Sequence, residues 1–173
     1  VLQATKTGFL FVLDRLTGRP LFPVDEIAVP ESDVTGELAS PTQPKPQLPP
    51  PFTTQAVSAD DAFGLTFWDR QQCRKKIQAL RNEGLFTPPS VKGSVLLPST
   101  SGGSNWGGIA YDPESGLAVV NSTNVLTSQK LAPREGFEAS VDAEKKPGKS
   151  IAMMPGTPYV WIREFLSSPF GLP

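Results

Sequence analysis

The run SPTQPKPQLPPP, Ser40 to Pro51, places six prolines in twelve residues. Proline has no amide donor, and its ring clashes with the preceding helical turn. The segment from Pro30 to Pro51 is therefore expected to be neither helix nor central strand. It reads as a linker or long surface loop, or as a loop laid across another surface. Nineteen prolines and fifteen glycines in 173 residues make turn and irregular backbone abundant, and the 38% hydrophobic content supplies one modest core.

The remaining composition narrows the chemistry by exclusion. The formal net charge is -1, which gives no sign of a polyanion-binding surface, so nucleic acid is not an expected partner. No apolar run approaches the ~20 residues of a membrane span. The sequence holds no histidine, so His-dependent zinc sites and Ser-His-Asp triads cannot be built from this chain. The single cysteine, Cys73, can form no internal disulfide and reads as a small core hydrophobe. Chemistry is left to Lys, Asp, Glu, Asn or Arg, or to a bound cofactor.

Strand character opens the chain. Val1 to Thr5 and Phe9 to Leu13 read as strands, and Leu21 to Val24 as a third. The intervening KTG (Lys6 to Gly8) and DRLTG (Asp14 to Gly18) put glycine where a tight turn needs positive φ. Strands return with SVLLPS from Ser94, with Gly108 to Tyr111, and with Leu117 to Asn121 around the turn DPESG. Tyr159 to Ile162 is one more, and the polar stretch from Thr127 to Gly156 reads as loop. One helix is expected over about residues 69–83, in DRQQCRKKIQALRNEG. It has Cys73, Ile77 and Leu80 on one face, Arg74, Lys75, Lys76 and Arg81 on the others, and Gly84 as its C-cap. The basic cluster reads as a solvated helix face. Asp60, of the acidic pair Asp60 and Asp61, could cap the helical region, but the pair lacks the convergent oxygens of a calcium site.

FVLDRLTGRPLF and GIAYDPESGLAVV share a pattern of apolar strand, Asp, turn, Gly and apolar strand, about one hundred residues apart. Repeated hairpins with Asp-turn-Gly corners suit propeller blades; by pattern alone they also suit a sandwich. Carboxylates at such corners usually accept hydrogen bonds from their own turn, which is the expected role of Asp14 and Asp112.

Five ordered blocks, KTGFLFVLDRLTGRPLFPV, SPTQP, EGLFTPPSVKGSVLLPS, GGSNWGGIAYDP and LSSPFGLP, resemble the membrane-bound quinoprotein dehydrogenases that depend on pyrroloquinoline quinone (PQQ). These are typified by glucose dehydrogenase and quinate/shikimate dehydrogenase. The resemblance covers essentially the whole chain. It implies a mainly β fold: about two blades of an eight-bladed β-propeller, with a long Pro-rich insertion containing one helix. Residues 1–29 would be blade hairpins, 30–93 the insertion, 94–126 a further blade hairpin, and 127–173 a loop-rich segment with a short final strand. The chain is then expected to be an internal piece of a longer enzyme, its targeting segment and catalytic aspartate lying upstream.

Function follows from the same resemblance. The full enzyme would oxidise a sugar or polyol and pass electrons to ubiquinone. It would sit on the periplasmic side of the bacterial inner membrane, its anchor outside this chain. PQQ would be held with calcium or a similar divalent ion, whose ligands are expected elsewhere. Lys6 is the implied catalytic and cofactor-binding residue: in this family the KTG lysine projects toward the quinone oxygens. An ammonium there stabilises the negative charge those oxygens gain. By pattern alone Lys6 reads as a solvated hairpin lysine; the resemblance reverses that reading. Asn105 and Trp106 of GGSNW are implied cofactor contacts, the alternative being a blade-locking Trp beside an Asn-stabilised turn. Trp68 and Trp161 read as core or interface aromatics.

The isolated chain is expected to be inactive, and its open strand edges leave three alternatives: partial folding, self-association, or packing of the insertion over the open edge. A propeller scaffold that binds other proteins without catalysis is the alternative reading. Glucose and quinate/shikimate remain alternative substrates.

Overall fold

The computed structural model describes residues 1–104, 107–135, 137 and 147–171. Its regular structure is mainly β, with one α-helix. Leu2–Ala4 (β1) and Leu10–Val12 (β2) form an antiparallel hairpin across the KTG turn, with Leu2 opposite Val12. Past the Asp14 corner the chain first runs back beside β2, Leu21 donating its N–H to Val12 at 2.8 Å. The third strand, expected over Leu21 to Val24, instead spans Val24–Ala28 (β3) and pairs with Thr42–Pro46 (β4).

A strand therefore lies inside the Pro-rich run, and its register explains why it is tolerated. Pro44 and Pro46 face Glu26 and Val24, whereas Gln47, of the opposite parity, donates to Pro23 O at 2.9 Å. In an antiparallel pair only alternate residues donate inward. The missing donors of Pro44 and Pro46 thus fall on the outer edge of a two-stranded sheet, where nothing requires them.

The largest sheet joins Ser94–Leu96 (β5), Thr127–Pro133 (β8), Lys149–Met153 (β9) and Tyr159–Phe165 (β10), all antiparallel, in the order β5-β8-β10-β9. This corrects the expectation of loop from Thr127 to Gly156. The inward positions of β8 are Thr127, Gln129 and Leu131, all buried. Two of the three are polar, so the period-two burial leaves no hydrophobic alternation for a sequence pattern to reveal. Val160 of β10, opposite Ala132 in register, is fully buried on the sheet face away from Leu131, and Val95 and Leu97 are buried as well. A second hairpin, Ile109–Asp112 (β6) with Leu117–Val120 (β7), closes around DPESG.

The helix (α1) runs Phe67–Gln78, starting two residues earlier and ending sooner than the expected 69–83. Thr66 is its N-cap, accepting from Asp69 N–H at 3.1 Å, and the buried Asp69 carboxylate accepts from Leu65 N–H at 3.1 Å. Its end is set by tertiary structure: Arg81 accepts from Val95 N–H at 2.9 Å and donates to Gly93 O at 3.0 Å, so the sheet takes the backbone the helix would have used. Gly84 is not the C-cap; Ala79 is, and Gly84 accepts from Thr87 in a separate turn. Nor does Asp60 cap a helix. Ser58 caps the short 3-10 turn Ala59–Asp61, Asp61 completes the capping box, and Asp60 pairs with Arg74 at 2.7 Å.

The two corner aspartates occupy matching positions. Asp14 accepts from Leu16 N–H, Thr17 N–H and the Thr17 hydroxyl at 2.8–3.0 Å. Asp112 accepts from Glu114 N–H and the Ser115 hydroxyl. The Thr17 and Ser115 hydroxyls are the main cause holding both carboxyls below the ordinary value of 3.8, with the turn N–H groups next. Each folded corner favours the charged form, so its contribution is complete above that value and is lost as pH falls through the lower folded value. Asp14→Asn combined with Asp112→Asn should flatten, though not abolish, the loss of stability over the acidic range below about pH 4. Urea midpoints measured across that range check this.

Candidate functional site around Lys6

Lys6 sits at the exposed tip of the β1–β2 turn. The turn is short because Thr5 N–H reaches Phe9 O at 3.0 Å and Gly8 N–H reaches Thr5 O at 3.0 Å. The Thr5 hydroxyl accepts from Phe9 N–H at 3.1 Å and lies 2.8 Å from the Thr7 hydroxyl. Phe9, 2% exposed, anchors the returning strand in the core. A solvated hairpin lysine would need nothing more. Here, however, remote segments converge on the turn.

The end of the Pro-rich segment covers one side. Phe52 N–H donates to Gly8 O at 3.0 Å, and Gln55 Nε2 donates to Thr7 O at 2.9 Å and to Thr53 Oγ1 at 3.0 Å. The Pro-rich run is thus laid across another surface at this end. The loop from Ser99 to Ser104 covers the other side. Gly103 N–H donates to Lys6 O at 2.7 Å, and Lys6 Nζ donates to Thr100 O at 3.2 Å. Asn124 Oδ1 accepts from Thr54 N–H at 2.8 Å, and Thr123 N–H donates to Gly103 O at 2.8 Å, which joins the two covers.

Close approach of the loop depends on Gly102. Its φ is +83°, and a Cβ there would lie 2.6 Å from Lys6 Cγ, 2.7 Å from Cβ and 2.9 Å from Cα. Real Cβ atoms do not approach so closely, so the lysine stem is seated against bare backbone. Two residues on, the buried Ser104 Oγ has no hydrogen-bond partner among the described residues. Thr100, whose carbonyl Lys6 meets, also lines a cleft of about 310 Å³ together with Ser99, Ser101, Arg163 and Phe165. Asn105 and Trp106, the other two implied contacts, lie outside the described residues.

Thr53, Gln55, Thr100 and Arg163 have no counterpart among the sequence-level candidates. The contacts of Gln55 and Thr100 with the KTG turn span 48 and 94 residues, and no local pattern carries such a pairing. Four other cations are engaged elsewhere: Arg70 with Ala62 O, Arg74 with Asp60, Lys76 with Ser167 O, and Arg81 with Glu83. Cys73 lines a separate cavity of about 380 Å³ beside Ile77, where burial first and the Asp69 charge second push its thiol up, away from reactivity. Trp68 is half exposed, edge-on to Phe170, and Trp161 carries the Arg163 guanidinium 4.6 Å above its ring. Among the described residues no group of three His, Cys, Asp or Glu side chains could hold a metal ion.

Known proteins share this sequence along its whole length. The family model described as PQQ: Glucose/ethanol/alcohol dehydrogenase, beta-propeller domain, matches residues 1–173. A quinoprotein glucose dehydrogenase from Escherichia coli (strain K12) is 39% identical over 97% of this chain and 22% of its own length. A quinate/shikimate dehydrogenase (quinone) from Acinetobacter baylyi is 33% identical over all of this chain and 22% of its own. A glycerol dehydrogenase large subunit from Gluconobacter thailandicus is 37% identical over 92% of this chain and 23% of its own. The chain thus spans between a fifth and a quarter of these relatives. No solved structure matches it.

Replacing Gly102 by Ala should cost about 2 kcal/mol, combining positive-φ strain with displacement of Lys6. Gly116→Ala, at a similar φ of +69° but in open space, should cost about 1 kcal/mol. Denaturant midpoints of the two variants separate lost room from lost backbone freedom.

Proposed function

The chain belongs to the PQQ-dependent dehydrogenase β-propeller family, and from that premise we propose that it supplies one wall of the active centre of an alcohol-oxidising quinoprotein. The substrate is a sugar or polyol of the glucose or quinate/shikimate class, and electrons pass to ubiquinone. One observation carries the reading. Lys6 is an exposed ammonium on a turn gripped from both sides by segments remote in sequence, and a merely solvated lysine needs no such mount.

The residues present fit an anionic, planar, hydrogen-bonding cofactor. Lys6 supplies the cation, the unpartnered Ser104 hydroxyl supplies a buried polar group in the adjoining loop, and bare backbone at Gly102 permits close approach. Bound PQQ would supply the two-electron acceptor for the alcohol carbon. This chain would hold positive charge at Lys6 Nζ, where the reacting oxygens become negative, in a mount that needs no reorganisation during the reaction. Asn105 would donate or accept at the cofactor edge, and Trp106 would offer a ring face or its N–H.

In this reading the sheet of β5, β8, β10 and β9 has the strand count of one blade. About two blades of an eight-bladed ring come from 1–29 and from 94 onward, with 30–93 inserted between them. Calcium or a similar ion takes its ligands from other parts of the protein. The enzyme faces the bacterial periplasm from the inner membrane, its anchor also elsewhere; no described helix is long and apolar enough to cross a bilayer. Separated from the other blades, the chain would lack activity and self-associate through the open edge of β9.

Lys6→Ala in the full-length protein tests the proposal. Expected are a fall in kcat of about 10²- to 10³-fold and weaker quinone binding, read by fluorescence titration of the apoprotein, with an unchanged melting temperature. Absence of quinone binding and turnover in the wild type as well as in the variant would show a scaffold instead, whereas wild-type turnover in a folded Lys6→Ala variant would remove Lys6 from the catalytic machinery.

A further inference from the structure

The hydrogen bonds around Thr100 run in two directions. Its carbonyl accepts from Lys6 Nζ at 3.2 Å, and its hydroxyl is bound by Arg163 Nη1. Arg163 lies on β10, an interior strand of the largest sheet, opposite Gln129 of β8 and Ser150 of β9. Its guanidinium stands 4.6 Å over the ring of Trp161, two residues away on the same strand face. Its Nε is buried without a hydrogen-bond partner among the described residues. The guanidinium is thus fixed by the sheet and by an aromatic face, with the Thr100 hydroxyl as its contact in the loop.

The loop itself is tightly made. Gly102 N–H donates to Ser99 O at 2.7 Å, Ser101 N–H donates to Ser99 Oγ at 3.2 Å, and Ser99 N–H donates to Val125 O at 3.0 Å. Thr100 is the one residue of this loop that touches both the Lys6 ammonium and a rigid strand side chain. We propose that Arg163, acting through Thr100, is a positioning residue for Lys6. It fixes the loop so that the Thr100 carbonyl meets the ammonium and holds it at one place. This deepens the proposed function, since it takes Lys6 as the working cation. Arg163 itself is assigned no contact with substrate or cofactor.

Arg163 as an ordinary structural tie would stabilise the loop without governing the Lys6 nitrogen, and the two roles separate experimentally. Lys6 is exposed, so its acylation by an N-hydroxysuccinimide ester can be followed by peptide mapping in the full-length apoprotein, with no quinone present. A nitrogen engaged by a fixed carbonyl reacts more slowly than a freely rotating one. Arg163→Met and Thr100→Val should each accelerate labelling of Lys6 about threefold, the effect of losing one modest hydrogen bond. The double variant should do no more than either single, because both cut the same link. Arg163→Lys, which keeps a cationic donor, should restore most of the wild-type rate. In the loaded enzyme the same variants should lower kcat with little change in KM.

Wild-type labelling in a folded Thr100→Val variant overturns the proposal, as do additive effects in the double variant. Should Arg163→Met fail to fold, the near-isosteric Thr100→Val, which keeps the carbonyl, decides alone. The labelling result is independent of the quinone. A Lys6→Ala variant that binds quinone normally would therefore sink the proposed function while leaving the positioning result readable.

Discussion

Gly103 N–H to Lys6 O, at 2.7 Å, is the contact on which the arrangement around the turn depends. It brings the Ser99–Ser104 loop against a hairpin that already carries Phe52 on its Gly8 carbonyl. A backbone-to-backbone bond of this kind fixes distance regardless of side-chain rotamer, so the loop's own turns then determine where Thr100 stands. The absence of a side chain at Gly102 is the steric condition for it. With that contact in place, the ammonium, the Thr100 carbonyl and the Arg163 guanidinium fall into one short series.

The surrounding architecture shows how polar residues can occupy a sheet interior. Thr127 and Gln129 are buried on β8; the Thr127 hydroxyl donates to Leu96 O at 3.3 Å and Gln129 Nε2 to Thr87 O at 3.5 Å. Buried polar groups cost little when partnered. Such a strand is stable once its neighbours exist but has no hydrophobic signature of its own. The β4 strand has the complementary property. Its prolines argue against any strand, yet parity places both missing donors on the free edge.

Legibility varied with the range of the interactions. The KTG turn and the two Asp corners were readable because each is closed by groups within a few residues, as with Asp14, Leu16 and Thr17. The helix was readable in its middle, where Cys73 and Ile77 share a face. It was misjudged at its end, where Arg81 leaves for the sheet. Lys6 stood out through a family resemblance, which the family match supports. Its supports did not stand out: Gln55, Thr100 and Arg163 are ordinary surface-type residues until the fold brings them together.

The sequence by itself determined the class of molecule. Glycine-closed hairpins, prolines that exclude long helices, the absence of histidine and five ordered motif blocks restrict the chain to a mainly β member of a quinone-dependent family. These are local or compositional properties, fixed by backbone sterics and by which side chains are available. Only the tertiary structure decided that the Pro-rich segment ends as a cover over the KTG turn. It alone decided that a polar stretch becomes an interior strand, and that Thr100 stands between Lys6 and Arg163. Those outcomes depend on hydrogen bonds between groups 26 to 94 residues apart, whose partners exist only after the chain has folded.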